Sequence, residues 1–257
     1  MSKLSVVLAT FNEEENLPDC LDSVGDLADE IVVVDGSSTD KTCEIAKKYG
    51  AKVMITENLP NFHINKQKAI GLATKNWILQ LDADERVTPR LVQEIKSEIR
   101  NPKSETNGYW IPRKNWFLGR FLMKGGQYPD YTLRLYKRGK GRLPHRDVHE
   151  QAEVNGKVGY LKEALLHYPY KSFSIYMEKW SKYNMLFADK IKEKLKGKNF
   201  ASQIFYGIGY LFIKPIHWFL TSYIRHKGFM DYTDGFVFSF FSALRFPVSY
   251  LKHLKVL

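Results

Sequence analysis

The sequence predicts an α/β protein with a mainly parallel sheet flanked by helices and a helical C-terminal extension. Three observations predict it. Short runs rich in Val and Ile recur through residues 1–90, and stretches with helical apolar spacing separate them. Beyond residue 170 the chain becomes lysine-rich and aromatic.

Taken in order, the apolar runs are Leu4–Ala9, Ile31–Val34, Val53–Ile55 and Trp77–Leu81. Runs without polar alternation read as strands buried on both faces. Asn12 followed by Glu15 reads as a capped helix start leading into Leu17, Leu21 and Val24. The Ser37–Asp40 cluster precedes a second helix through Ile45 and Ala46, which Gly50 closes. Ile64, Ala69, Ile70 and Ala73 mark a third helix. Thr88 and Pro89 open a fourth that runs to about Ile99, with Thr as cap and Pro in the first turn. Strand–helix repeats with short links imply a parallel sheet covered by helices. Tyr131–Tyr136 alternates like a further strand, which carries Arg134.

The chain has 257 residues, with 39 Lys and Arg against 28 Asp and Glu, a net charge of +11. Residues 1–112 hold 13 basic and 18 acidic side chains, a balance of −5; residues 113–257 hold 26 and 10, a balance of +16. A basic half of this kind suits phosphate-rich partners: nucleic acid, an anionic membrane surface or an anionic small molecule. Cys20 and Cys43 offer neither a disulfide framework nor a C-x-x-C metal or redox pair. The opening MSKLSVVLATFNEE turns acidic, so no signal peptide is expected.

A parallel sheet binds ligands beyond the carboxyl ends of its strands. There the sequence places Thr10-Phe11-Asn12-Glu13, then Asp35-Gly36-Ser37-Ser38, then Asp82-Ala83-Asp84-Glu85. Neither GxGxxG nor GxxxxGK[ST] occurs, which argues against a dinucleotide-binding dehydrogenase and a P-loop NTPase. Carboxylates in their place point to a metal-bridged diphosphate. While the chain stays extended, Asp82 and Asp84 project the same way, and paired carboxylates hold a hard divalent cation.

The segments SVVLATFNEEENLPDCLDSV, DEIVVVDGSSTDKT and WILQLDADERV resemble the nucleotide-sugar-binding half of glycosyltransferase family 2, over about residues 4–90. The resemblance implies the GT-A fold (Rossmann-like) and inverting transfer of a sugar from a nucleotide diphosphate. It implies that Thr10, Asn12 and Glu13 line the nucleoside pocket, and that Asp35 contacts base or ribose. Lys66 or Lys68 would reach the diphosphate, Asp82 would lie near ribose or metal, and Asp84 would bind Mg²⁺ or Mn²⁺ directly. Thr10 and Asn12 could equally serve as helix caps, and the two lysines as surface residues.

A second cluster comprises Arg113, Trp116, Gly125-Gly126-Gln127-Tyr128-Pro129-Asp130, Arg134 and Val148-His149-Glu150. It resembles a bacterial branch of the family that includes lipopolysaccharide core glucosyltransferases. Inverting transfer needs one base and stabilisation of the leaving diphosphate. Glu150 is the expected base, Asp130 its rival, and His149 a third metal ligand or an orienting group. Arg134 and Arg113 suit a leaving-group or acceptor phosphate, although Arg134 could pair with Asp130.

Residues 172–198 read as a long helix with an apolar stripe through Ile175, Trp180, Tyr183, Leu186, Phe187 and Ile191. After it, the longest uncharged run, Asn199–Ile213, is 15 residues, whereas a bilayer span needs ~20. Interfacial helices are expected, or a helical subdomain or dimer interface.

The expectation is therefore a GT-A domain over 1–170, with nucleotide-sugar binding in 1–100 and the acceptor side in 101–170. A helical, membrane-associating or dimerising extension follows over 171–257. The enzyme would move a hexose, glucose by resemblance, from a nucleotide-diphosphate sugar (UDP favoured) to an anionic lipopolysaccharide-core glycolipid. It would work in the cytoplasm, peripherally on the inner face of the cytoplasmic membrane. A polyprenyl phosphate, another polysaccharide or a protein are alternative acceptors. A non-catalytic basic binding module is the remote alternative; no nucleic-acid motif supports it, and homo-oligomerisation stays open.

Overall fold

The computed structural model describes residues 2–59, 61–101, 105–144, 151–170 and 172–256. Two compact units emerge, one from 1–113 with 130–167 and the other from 114–129 with 168–257. The 114–129 excursion, expected on the acceptor side of the first domain, thus belongs with the C-terminal helices.

In the first unit, β1 (Leu4–Thr10), α1 (Leu17–Asp22), β2 (Glu30–Asp35), α2 (Thr42–Lys48), β3 (Lys52–Ile55), α3 (His63–Leu72) and β4 (Trp77–Leu81) alternate as expected. β1 pairs in parallel with β2 and β4, and β2 with β3. After β4 come β5 (Glu85–Val87), α4 (Pro89–Arg100) and β6 (Gly108–Phe117). The last four residues of β6 and the short β7 (Arg120–Phe121) lie in the second unit. β8 (Asp130–Lys137) runs antiparallel to both β4 and β6. β9 (Gly141–Arg142) and β10 (Glu153–Val154) form a separate ribbon, while β11 (Val158–Tyr160) pairs with β6 and β12 (Leu165–His167) with β5. The sheet order is β3-β2-β1-β4-β8-β6-β12-β5.

Residues alternate between two cores, one on each face. Val6, Leu8, Leu79 and Leu81 join Leu17, Leu21, Leu91 and Ile95 on one face. Val7, Val32, Val34 and Ile78 join Ala69 and Ile70 of α3 on the other. Burying one such side chain contributes about 1.5–3 kcal/mol, which fixes the register that sets the strand ends. The Thr88 hydroxyl caps α4 by accepting from the Leu91 amide at 3.2 Å, and Gly50 closes α2 at φ +73°.

Asn12 departs from its expected cap. It sits in the left-handed region, φ +54°, and its side chain accepts from the Thr39 amide at 2.9 Å. The first helix begins later, where the Glu13 carbonyl accepts from the Asn16 and Leu17 amides at 3.0 and 2.8 Å.

In the second unit, α5 (Phe173–Leu195) starts at Ser172, whose hydroxyl accepts from the Ile175 amide at 3.3 Å. It buries Tyr176, Asn184, Ala188, Ile191 and Leu195. Tyr183, Leu186 and Phe187 of the apolar stripe are exposed, because the packing face follows the contacts with the last helix. A continuous helical run follows: α6 (Phe200–Ile208), a π segment Gly209–Ile213, α7 (Lys214–Phe219) and a second π segment Leu220–Arg225. A 3₁₀ turn, Gly228–Asp231, leads to α8 (Tyr232–His253). A Cβ at Gly235 would lie 2.0 Å from the Gly228 carbonyl, so only glycine allows this turn to close on α8. Phe117, Tyr176, Phe238 and Phe241 form the aromatic core of this unit.

Candidate active site

The parallel strands end side by side, with Thr10 opposite Asp35 in register. Asp35 is fully buried. It accepts from the Thr10 hydroxyl at 2.8 Å, and from the Ser38 amide and hydroxyl at 2.7 and 2.6 Å. The Ser38 hydroxyl in turn accepts from the Asn12 amide at 2.8 Å. These bonds tie the loop after β1 to the loop after β2. The Glu13 amide donates to the Thr42 hydroxyl at 2.8 Å, and its carboxylate accepts from the Asn16 side chain at 2.7 Å. Lys68 donates to the Thr56 hydroxyl at 2.8 Å.

Beyond β4 lies a charge-balanced cluster: Asp82, Glu85 and Asp130 against Lys66, Arg113 and Arg134. Lys66, buried on α3 beside the Phe62 ring, pairs with one oxygen of Asp82. β8 runs antiparallel to β4 with Leu135 opposite Leu79, which carries Arg134 toward the end of β4. Its Nη2 reaches Asp82 Oδ2 at 2.6 Å and Glu85 Oε1 at 3.0 Å. Glu85, fully buried, also accepts from Arg113 at 3.2 Å and from the Asp82 amide at 2.9 Å. Arg113 completes the set with bonds of 3.0 and 2.8 Å to Asp130 Oδ2.

Burial opposes ionisation of Asp82, but Arg134 and Lys66 outweigh it and hold the carboxyl well below the usual carboxylate range. Burial likewise works against the charge on Arg134; Asp82 and Glu85 reverse this and push it above the ordinary arginine value. Glu85 and Asp130 act in the same way on Arg113. Both guanidinium groups of the cluster are thus held in their charged form.

Asp82 and Asp84 pair with different residues. The chain turns at Ala83–Asp84, with the Glu85 amide bonded to the Asp82 carbonyl at 3.0 Å, so strand alternation stops applying. Asp84 instead faces His167, with Oδ2 to Nε2 at 3.5 Å. The antiparallel register of β5 with β12 sets His167 opposite Glu85 and therefore beside Asp84. Both side chains are partly exposed. A carboxylate oxygen and an imidazole nitrogen at this separation fit a Mn²⁺- or Mg²⁺-class ion that keeps positions open for phosphate. Among the described residues no group of three or more His, Cys, Asp or Glu side chains gathers around a metal position. Both Asp82 oxygens are turned to cations, Lys66 and Arg134.

Glu150 and His149 lie outside the described residues. Arg134 pairs with Asp82 and Glu85, and Asp130 pairs with Arg113. Glu85 has a place among the strand-end carboxylates of the sequence but no separate role there, and His167 is not singled out. Glu85 directly follows the D-x-D triplet, which was its available signal. His167 carries none, because its neighbour Asp84 is far away along the chain.

The fold and this site define a glycosyltransferase of the GT-A type. The chain belongs to glycosyl transferase family 2, whose sequence pattern matches residues 5–165. Over 255 residues it is 30% identical to the lipopolysaccharide core biosynthesis glycosyltransferase LpsC of Rhizobium meliloti (strain 1021), with 94% of this chain and 91% of that protein covered. It is also 30% identical over 254 residues to an uncharacterized glycosyltransferase of Rickettsia conorii (strain Malish 7), with 94% and 86% covered. The crystal structure of S. aureus TarS 1–349 superposes with a TM-score of 0.50 at 16% identity, covering 98% of this chain and 90% of that one. That likeness is one of fold.

Proposed function

We propose that the protein is an inverting, divalent-metal-dependent transferase that moves a hexose, glucose in the first instance, from a nucleotide-diphosphate sugar. UDP is the favoured carrier, and the acceptor is an anionic glycolipid of the lipopolysaccharide-core type. The observation that carries this reading is the Asp84–His167 pair beside the Lys66–Asp82–Arg134 cluster, at the carboxyl end of a parallel sheet. Similarity to LpsC supports the acceptor class, as does the +16 balance of residues 113–257.

Thr10, Asn12, Glu13 and Asp35 form the nucleoside wall. The Asp35 oxygens are taken by Thr10 and Ser38, so its part is to fix the loop around base and ribose. Lys66 and Arg134 stand where negative charge develops on the departing diphosphate. A bound divalent cation supplies further neutralisation there, and Asp84 and His167 would hold it. Glu150 takes the proton from the acceptor hydroxyl. The oxygen attacks the anomeric carbon from the opposite face, and the bond to the diphosphate breaks with its electron pair. Asp130 is the rival base, but its Oδ2 is already committed to Arg113.

Transfer from UDP-, GDP- and ADP-glucose to lipopolysaccharide inner-core fragments, with and without Mn²⁺, tests the reading. Asp84→Asn and His167→Ala should each weaken Mn²⁺ binding by at least about 10–100-fold, the loss seen when only the outer-shell partners of metal ligands are removed, and lower transfer with it. Wild-type Mn²⁺ affinity and rate in both variants would refute the assignment.

A further inference from the structure

The helical run from Phe200 to Arg225 packs on one side only. Its inner face is closed. Tyr206, Tyr210 and Leu211 join Ile191, Leu195 and Tyr250 in one cluster, and Ser222 bonds Ser239 of α8 at 3.0 Å. A Cβ at Gly207 would lie 2.8 Å from the Tyr250 hydroxyl, so the contact with α8 is close. The outer face is different. Ile204, Ile208, Phe212, Ile216, Leu220 and Ile224 recur at every fourth position, each 48–61% exposed.

The backbone accounts for the straightness of this stripe. Steps of four over-rotate in an α-helix of ~3.6 residues per turn and under-rotate in a wider π turn. Alternation of α6, π, α7 and π segments cancels the drift, so the stripe stays on one side for about 30 Å at ~1.5 Å per residue. Contiguous exposed apolar surface of this extent marks an interaction face.

Charge selects the occupant. From Lys194 to Met230 there is no Asp or Glu, while Lys194, Lys196, Lys198, Lys214, Arg225 and Lys227 are cationic. Lys214 is drawn to the inner side, its Nζ 3.3 Å from the Tyr210 ring centre. Lys194 likewise lies over the ring of inner-face Tyr206, at 5.4 Å, whereas Lys196, Lys198, Arg225 and Lys227 bracket the two ends of the stripe and are exposed. A second copy of the chain would set like charge against like charge, whereas an anionic lipid surface neutralises it. No helix among the described residues is long and apolar enough to cross a membrane.

We propose that the run from Phe200 to Arg225 lies in the plane of an anionic membrane surface, its every-fourth apolar stripe among the acyl chains and Arg225 with the flanking Lys196, Lys198 and Lys227 at the lipid phosphates. This gives the proposed glycolipid reaction a surface to work on, but the lipid contact stands apart from which sugar is moved.

Co-sedimentation of the full chain with vesicles tests it, with no nucleotide sugar present, so that failure here is separate from failure of the transfer reading. Wild type should bind phosphatidylcholine–phosphatidylglycerol vesicles and bind less to phosphatidylcholine alone. The double variant Phe212→Glu and Ile216→Glu should lose about tenfold or more of the binding, since both contacts with the acyl region go. These side chains are exposed, so its circular dichroism and melting should match wild type. Replacing Lys194, Lys196 and Lys198 by Gln should remove most of the preference for anionic vesicles. Wild type that stays in the supernatant would overturn the proposal. So would a wild-type dimer in sedimentation velocity that the Phe212→Glu and Ile216→Glu variant dissolves.

Discussion

Glu85→Gln isolates the charge balance on which the site depends. The change is isosteric, so packing is retained, and it removes one of three negative charges that face Lys66, Arg113 and Arg134. Glu85 is fully buried and accepts from both guanidinium groups and from the Asp82 amide. Arg134 keeps Asp82, and Arg113 keeps Asp130. One positive charge is left in excess inside the protein. Breaking a buried ion pair by removing one partner costs about 3–5 kcal/mol. The retained partners and the remaining amide oxygen place this case near the lower end, about 3 kcal/mol. Urea unfolding at neutral pH, followed by the near-ultraviolet signal of the tryptophans, measures it. Adding Arg113→Met should recover about 1 kcal/mol or more, the scale of coupling between contacting residues, because charge balance returns and the partly exposed Asp130 is solvated. A Glu85→Gln protein within about 0.5 kcal/mol of wild type, the range of neutral surface changes, would refute the reasoning.

A second titration lies at the base of β2. Burial raises the Glu30 carboxyl, but bonds from Lys52, Ser5 and Thr74 outweigh it and bring it down from 4.5 to about 2. A depressed folded value means stabilisation that is complete above the unfolded value and is lost as pH falls toward about 2. It amounts to about 3 kcal/mol at ~1.36 kcal/mol per pH unit, and a Glu30→Gln variant should show a correspondingly flatter acid-unfolding curve. An unchanged curve would put the acid sensitivity elsewhere. For the base, Glu150→Gln should abolish transfer while nucleotide affinity by calorimetry stays near wild type; the same pattern in Asp130→Asn alone would reassign the role.

What was legible in the sequence was local. The apolar runs Leu4–Ala9 and Trp77–Leu81, the Thr88 cap and the Gly50 stop depend on residues within a few positions of one another, and each formed where expected. The strand ends followed, and with them the positions of Thr10, Asp35 and Asp82 in the fold. Asn12 does not cap the first helix because its partners Ser38 and Thr39 come from another loop and outcompete a local cap. The buried face of α5 departs from its apolar stripe because burial there is decided by α8, not by periodicity alone.

The sequence by itself determined the α/β alternation, the family and the carboxyl-end residues. Only the tertiary structure decided which charges meet. It turned the chain at Ala83, which sent Asp82 to Lys66 and Arg134 and Asp84 to His167. Those pairings come from the registers of β8 on β4 and β12 on β5. Such registers are set by buried side chains from distant segments, and no local pattern encodes them.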